Sequence, residues 1–534
     1  MAASLQQVRL SRFKTARQFI LLFFALLLLH STVLRLPYFW DEAGYYIPAT
    51  RDLFQTGSLI PHSTPSNAHP PLVMAYLALC WKATTYSPLV TRTAMLGFAA
   101  FSLLGLGRLA QKVANIPVAL ATVALSALYP VLFVQSSLAQ LDLPAAGFTF
   151  WGLLAYVERR RWRTVLLFSL AALTKETAIL APLALFAWEV LCRMWQPRLD
   201  GEPVSPPQRD GWNTALLLVP CVPLAAWYGF HYLKTGYLLG NPEFFRYNVA
   251  ATAQPFRILL ALGLRVWQSF GYLNLFLLTI VTMLAMWQPP MHDQGSQRTR
   301  IAIWIQFAFA AVTVAYLGFM AVVGGAVLAR YMLPTMPLFI LVAVSTLYRR
   351  LRYWRMVTGL VALAFVAALL FNPPHGISLE DTLAYRDYIQ MHQHGAQFLQ
   401  THYPQARVLT AWPSSDELNR PDLGYVAAPL RVLRIEDFTA EQVFAAAEAR
   451  PNFDVAFVFS TKYEPAYRLF DHWAAWQRIN AKYFGFHRDL PAAAIAQVLG
   501  GHIVFSESRS GQWAAVIALD KAVDARLRTP SVQE

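Results

Sequence analysis

Cysteine is almost absent from this chain. Its 534 residues hold three, Cys80, Cys192 and Cys221. Scattered in this way, they specify neither a disulfide framework nor a thiolate metal site. Charge is scarce as well. Asp, Glu, Lys and Arg make up 14% of the chain, where a soluble domain carries about 25%, and 56% of the residues are hydrophobic. These two values exclude an ordinary soluble protein and indicate an integral membrane protein. Acidic residues are missing altogether between Met1 and Trp40, and then two arrive together, Asp41 and Glu42. No P-loop is present, and no GxGxxG follows a strand-like run.

The net charge of +14 is unevenly spread. Residues 1–371 carry 29 Lys/Arg against 12 Asp/Glu, whereas residues 372–534 carry 15 against 18. The basic excess therefore lies in the apolar part, as cytoplasmic loop charges do, and does not indicate nucleic acid. Arg9, Arg12, Lys14 and Arg17 precede the first apolar run, which lacks a small-residue cleavage site before Asp41 and reads as an uncleaved signal anchor.

Apolar segments predict about eleven crossings, near 18–37, 88–108, 117–135, 143–157, 164–174, 177–192, 213–232, 270–287, 301–322, 331–348 and 356–371. Basic clusters at Arg159–Arg163, Arg193/Arg198, Arg298/Arg300 and Arg349–Arg355 orient them with the N-terminus in the cytoplasm. Loops 38–87 and 233–269 then face outside, and so does everything after Phe371. The stretch "TVLLFSLAALTKETAILAPLALFAWEVLC" is too short for two full crossings. It reads as two short helices meeting at a buried turn that carries Lys175 and Glu176. Such a charge either pairs locally or faces an anionic ligand in a cavity.

Residues 372–534 change character. "ARVLTAW", "LRVLRI" and "DVAFVFS" are strand-like, "TAEQVFAAAEAR" is helical, and the end reads as a hairpin about Arg509-Ser510-Gly511. The predicted architecture is a polytopic α-helical membrane domain over 1–371, followed by an extracytoplasmic soluble α/β domain over 372–534. "QPRLDGEPVSPPQRDG" is a cytoplasmic loop.

The predicted topology gathers the unusual polar residues at one face. Asp41 and Glu42 open the first outer loop, and His69 closes its polar part before Pro70-Pro71, a helix start that favours an anion. Asp142 lies in the second outer loop, Lys175 approaches the same leaflet, and Arg330 and Tyr331 stand where the tenth helix meets the outer face. Each has a plainer reading. The acid pair and Asp142 suit helix starts, His69 suits a loop, and Arg330 suits an interfacial cation. Together they suit transfer of a group away from phosphate, with a carboxylate to take a proton and cations to stabilise the departing phosphate.

"DEAGYY", an outer loop ending "HPPL", then "QLD", "LTKE" and "RYMLPTMP" resemble the GT-C membrane glycosyltransferases, in particular bacterial relatives of protein O-mannosyltransferases and lipid A aminoarabinose transferases. The resemblance covers roughly residues 15–350. It implies a polyprenyl-phosphate-linked sugar donor and a lipid, glycan or protein acceptor at the outer face of the cytoplasmic (inner) membrane. It also implies inversion at the anomeric carbon. Within it Asp41 is the general base, Glu42 positions substrate or the loop, and Asp142 is a second catalytic-site acid near the acceptor. His69, Lys175 and Arg330 contact the donor phosphate, and Tyr45 and Tyr331 position substrate. In some members of that family Lys is common where His69 stands. No cofactor is assigned: the acids offer oxygen ligands to a divalent metal, yet no dedicated spacing specifies one. Two other classes fit parts of the pattern, a transporter or flippase for a lipid-linked or anionic solute and a membrane scaffold acting through residues 372–534.

Overall fold

The computed structural model describes residues 2–199, 201–205, 211–293, 295–465 and 473–520. Part of the expected cytoplasmic loop, at 200 and 206–210, lies outside the described residues, as do the side chains of Arg9, Arg12 and Lys14. The chain forms two units. One comprises Met1–Pro373 with Ile377–Ala384, and the other comprises Pro374–Gly376 with Tyr385–Glu534. Thus Ile377–Ala384, expected beyond the boundary at 371/372, folds with the helices.

The first unit is helical. Ser87 accepts from the Val90 amide (3.3 Å) to cap Pro88–Val113, and Asn115 accepts from the Val118 amide (2.9 Å) to cap Ile116–Leu128. In both cases a proline at the start of the helix occupies a position whose N–H has no helical partner anyway. Among the described residues, four helices are long and apolar enough to cross a membrane: Pro88–Val113, Glu176–Trp195, Asn213–Thr235 and Ile303–Val322. Only a third of the most apolar windows of Glu176–Trp195 and Asn213–Thr235 is buried within the protein. The remainder needs a nonaqueous partner, and side chains such as Leu28, Leu120, Leu166, Leu233, Val314 and Leu363 stand exposed. This is a multi-pass α-helical membrane protein.

Several boundaries depart from expectation. The first helix ends at Leu29 instead of continuing to residue 37, and its successor segment is partly buried without being α-helical, with His30, Leu36, Tyr38 and Phe39 inside. The 233–269 loop contains the helices Pro242–Asn248 and Pro255–Phe270. Pro255–Phe270 continues into Leu275–Met286 after a 76° bend, where Leu273 and Asn274 adopt positive φ (47° and 69°). The "TKET" segment does separate two helices, Arg161–Thr174 and Leu180–Trp195, through a 3-10 turn at Glu176–Ile179. The turn is continuous enough with the second helix to make a 20-residue span, so that half is longer than expected. The helix expected at 331 starts at Met336, because Ala329–Met332 forms its own 3-10 turn.

The second unit carries a five-stranded sheet. We number its strands β1 (Arg407–Ala411), β2 (Arg431–Ile435), β3 (Val455–Phe459), β4 (Gly501–Arg509) and β5 (Gln512–Leu519). Their order is β2-β1-β3-β5-β4, with β2, β1 and β3 parallel and β5 antiparallel to both neighbours. The β4–β5 turn sits at Ser510-Gly511, both at positive φ as a tight hairpin requires. Strand β3 is buried throughout, matching its uninterrupted apolar sequence.

Close helix approach sets the height of the Asp142–Val157 helix. A Cβ on Gly147 would collide with Ser102 of Pro88–Val113, and one on Gly105 would come within 2.7 Å of the Trp151 ring. Gly147→Val is expected to destabilise the protein by about 1–3 kcal/mol through overpacking. A lowered unfolding temperature in detergent, against an unchanged one for Gly318→Val, checks it, since nothing approaches Gly318.

Candidate active site

At Trp40 the chain takes a positive φ of 46° and enters a single π-helical turn, Glu42–Tyr46. Such wide turns recur at functional sites because they redirect neighbouring side chains. Here the two adjacent carboxylates serve different partners. Glu42 is completely buried, accepts from the amides of Phe39 (2.9 Å) and Ala139 (2.6 Å), and pairs with Arg92 at 3.2 Å. Arg92 is also fully buried and donates to the carbonyls of Leu36, Pro37 and Ser137. Glu42, expected beside Asp41 as a residue that positions substrate or the loop, is thus turned into the protein and away from solvent. Its oxygens are occupied and sealed from solvent, and they hold the turn that presents Asp41.

The Asp41 side chain is 35% exposed and ion-pairs with Arg330, whose own side chain is 3% exposed. Arg330 also pairs with Glu380, and its Nε lies 3.4 Å from Asp142 Oδ2. Burial excludes the interfacial-cation reading of Arg330. Asp142 is the first residue of its helix but makes no side-chain capping bond. Instead it accepts from Lys175 Nζ at 2.5 Å. Lys175 does not pair with its neighbour Glu176, as a self-neutralising turn would require. Extended backbone at Lys175 splits the two (φ −149°, ψ 131°), and Glu176 reaches His69 Nδ1 at 3.1 Å.

Tyr331 is the hub of the cations. Its ring centroid lies 4.3 Å from Lys175 Nζ, 5.3 Å from the Arg265 guanidinium and 5.6 Å from that of Arg330. Arg265 is fully buried and donates to Gln268 and to the carbonyls of Met320 and Leu328. Among the described residues no carboxylate forms an ion pair with it, and its Nη2 has no hydrogen-bond partner. A buried cation with no carboxylate in direct contact is costly, so this part of the site has spare capacity for an anion.

His69 adjoins the cluster. Its ring stands 5.6 Å from Tyr45, 5.8 Å from Tyr46 and 5.5 Å from Phe244, just before the helix Leu72–Ala83. The structure thus groups Asp41, Asp142, Lys175, Arg330 and Tyr331 in one cluster and His69 with Tyr45 in an adjoining one. Reading the sequence missed Arg92, Arg265, Gln140 and Glu380. Gln140 donates to Glu380 at 3.0 Å. Arg257 and Arg265 did carry a signal, since a spacing of eight residues places both on one helix face. Glu380 and Asp381, which lie past the expected boundary at 371/372, belong to the helical unit.

No family model and no curated protein sequence matches the chain. Among solved structures, ArnT from Cupriavidus metallidurans bound to undecaprenyl phosphate matches with a TM-score of 0.53 and 14% identity, over 94% of this chain and 98% of that one. The apo state of the same protein matches with a TM-score of 0.50 at the same identity and coverage. The likeness spans both units and establishes the fold, which is of the GT-C type expected from the motifs.

Two outcomes follow from this geometry. Arg92→Met leaves the Glu42 carboxylate buried and unpaired, which is expected to cost about 3–5 kcal/mol and to lower the unfolding temperature far more than Asp41→Asn does. The second concerns Asp381, which accepts from Tyr272 Oη at 2.6 Å and whose pKa burial pushes up to about 6. An unfolded Asp titrates near ~3.9. Between these values the folded protein retains a proton that the unfolded chain has released, so its contribution to stability is present at low pH and falls as pH rises through about 6. Asp381→Asn is expected to flatten the pH dependence of the unfolding temperature between about pH 4 and 6.

Proposed function

We propose that the protein is an inverting glycosyltransferase of the cytoplasmic membrane, moving a sugar from a polyprenyl-phosphate donor to an acceptor hydroxyl on the extracytoplasmic face. The observation that carries this reading is the set of three cations around Tyr331 with Asp41 at its open edge. A scaffold has no use for so much buried charge. The fold likeness adds support, because the ArnT structure is of a complex with undecaprenyl phosphate.

In the proposed reaction the acceptor O–H gives its proton to the Asp41 carboxylate while the oxygen attacks the anomeric carbon. The bond from that carbon to the phosphate oxygen breaks, and its electron pair leaves with the polyprenyl phosphate. The phosphodiester donor carries one negative charge and the departing monoester up to two. Cations beside it therefore bind the transition state more strongly than the ground state. Arg330, Lys175 and Arg265 supply that field, and His69, held through Nδ1 by Glu176, directs Nε2 to the same phosphate. Asp142 and Glu380 hold Lys175 and Arg330 in place when no phosphate is present, with Asp142 on the acceptor side. Tyr331 spaces the cations, and Tyr45 lines the sugar's approach.

The proposal includes the topology that delivers the two reactants: about eleven crossings, a cytoplasmic N-terminus, and the sheet-containing unit outside the cell or in the periplasm. The acceptor is a lipid, glycan or protein hydroxyl, and no nucleic acid is involved.

The test uses full-length protein in nanodiscs with sugar-linked polyprenyl phosphates and an envelope acceptor fraction, following release of free polyprenyl phosphate. Asp41→Asn is expected to reduce turnover by about 10²–10⁴-fold while donor binding persists. Turnover within twofold of wild type would remove Asp41 from the role of base. Lipid movement across the bilayer without sugar release would replace the transferase with a flippase.

A further inference from the structure

The second unit holds a cluster that the proposed transfer reaction does not use. Asp437 follows β2, Thr461 and Lys462 follow β3, and His487 and Asp489 lie on the segment leading to the helix Ala492–Leu499. Strands β2 and β3 run parallel to β1 between them. The cluster therefore lies at the carboxyl ends of the parallel strands, which is where open α/β sheets bind ligands.

The hydrogen bonds around the cluster orient its atoms. The His487 Nδ1–H donates to the Gly485 carbonyl at 3.3 Å, which leaves Nε2 as the lone-pair nitrogen. Asp437 Oδ1 accepts from the Thr439 amide (2.9 Å) and hydroxyl (2.6 Å), and Asp489 Oδ2 accepts from the Thr461 hydroxyl. The second oxygen of each carboxylate turns toward the imidazole, with Asp437 Oδ2 and Asp489 Oδ1 each 3.6 Å from Nε2. Three electron-rich atoms converge. The Asp489 side chain is only 6% exposed, and its Oδ1 is buried without a hydrogen-bond partner.

A distance of 3.6 Å is too long for a hydrogen bond. It is close to the separation of two ligands on one tetrahedral ion: with metal bonds of about 2.0–2.2 Å, ligand atoms lie about 3.4 Å apart. All three atoms lie within 4.8 Å of one another, so a small closure between the two carboxylates completes the triangle. Lys462 donates to the His487 carbonyl at 2.9 Å and lies over the Phe486 ring; its ammonium is close enough to Asp437 and Asp489 to be attracted by both, without a direct bond to either. The Thr–carboxylate and carbonyl–imidazole contacts are the kind of outer support that fixes metal ligands.

We propose that Asp437, His487 and Asp489 bind one divalent transition-metal ion of the zinc class, with a water completing the coordination on the exposed side of His487. The ion ties the 485–489 segment to the ends of β2 and β3. One nitrogen with two carboxylate oxygens favours zinc over magnesium, which prefers all-oxygen octahedral shells.

The experiment uses tag-free, full-length protein in nanodiscs, stripped with chelator and dialysed against micromolar free Zn²⁺ with millimolar Mg²⁺ present. Wild type is expected to retain one equivalent of zinc more than Asp489→Asn or His487→Gln, whereas His69→Gln retains as much as wild type. Equal zinc contents in wild type and both second-unit variants would overturn the proposal. Co²⁺ gives a readout that does not depend on variants folding. Visible d–d absorption on adding one equivalent to stripped wild type, displaced by Zn²⁺, is the expected result, and its absence would also overturn the site. If His487 is instead an imidazolium between two carboxylates, Asp489→Asn changes its NMR titration while zinc content stays the same, and the metal reading fails.

Discussion

Arg330 is the constraint around which the first unit is arranged. A guanidinium cannot lose its charge by giving up a proton, so burying it among apolar helices demands anions from wherever the chain can supply them. They arrive from three distant places: Asp41 beyond the first helix, Asp142 at the start of another, and Glu380 past the last. Each carboxylate needs its own support. Asp41 depends on the turn that Glu42 and Arg92 hold, Asp142 on helix packing through Gly147 and Ser102, and Glu380 on Gln140. The apolar packing of the unit and its polar centre are thus one structure, because loosening any of these supports exposes a charge to hydrocarbon.

Much of this was legible in the sequence, and what was missed has physical causes. Apolar run length located most helices, and Lys175-Glu176 between two short runs marked a true break. The pairing at that break was not legible. Whether a lysine meets its neighbour or a residue 33 positions earlier depends on backbone direction at one residue, which composition does not encode. Likewise Glu42 and Asp41 are adjacent in sequence yet meet different partners, Arg92 and Arg330. Arg92 and Arg265 sat inside apolar helices, where a lone cation reads as a surface residue until its partners are known. Glu380 lay beyond the last apolar run and was grouped with the sheet for that reason alone.

The second unit was more legible in its elements than in its chemistry. Strands β1, β2, β3 and the closing hairpin were visible as alternating or continuous apolar runs. The convergence of Asp437, His487 and Asp489 was not, since fifty residues separate the first ligand from the second and no short spacing links them. Parallel strands bring such distant residues together because each crossover returns the chain to the same edge of the sheet.

The bent helix pair has a consequence for traffic. Pro255–Phe270 turns Leu259, Val266 and Trp267 outward and keeps Arg257, Arg265 and Gln268 inside, before the chain bends by 76°. One short helix thus offers hydrocarbon on one side and a fixed positive charge on the other. In the proposed reaction the donor, with a long tail and an anionic head, approaches such a sill by sliding within the bilayer plane, so its encounter rate is governed by its density in the membrane. Its concentration in water is then irrelevant. Under the proposed reaction, water-soluble anions, lacking a tail to hold them at that edge, would be discriminated against by dimensionality before any contact with the cations is made.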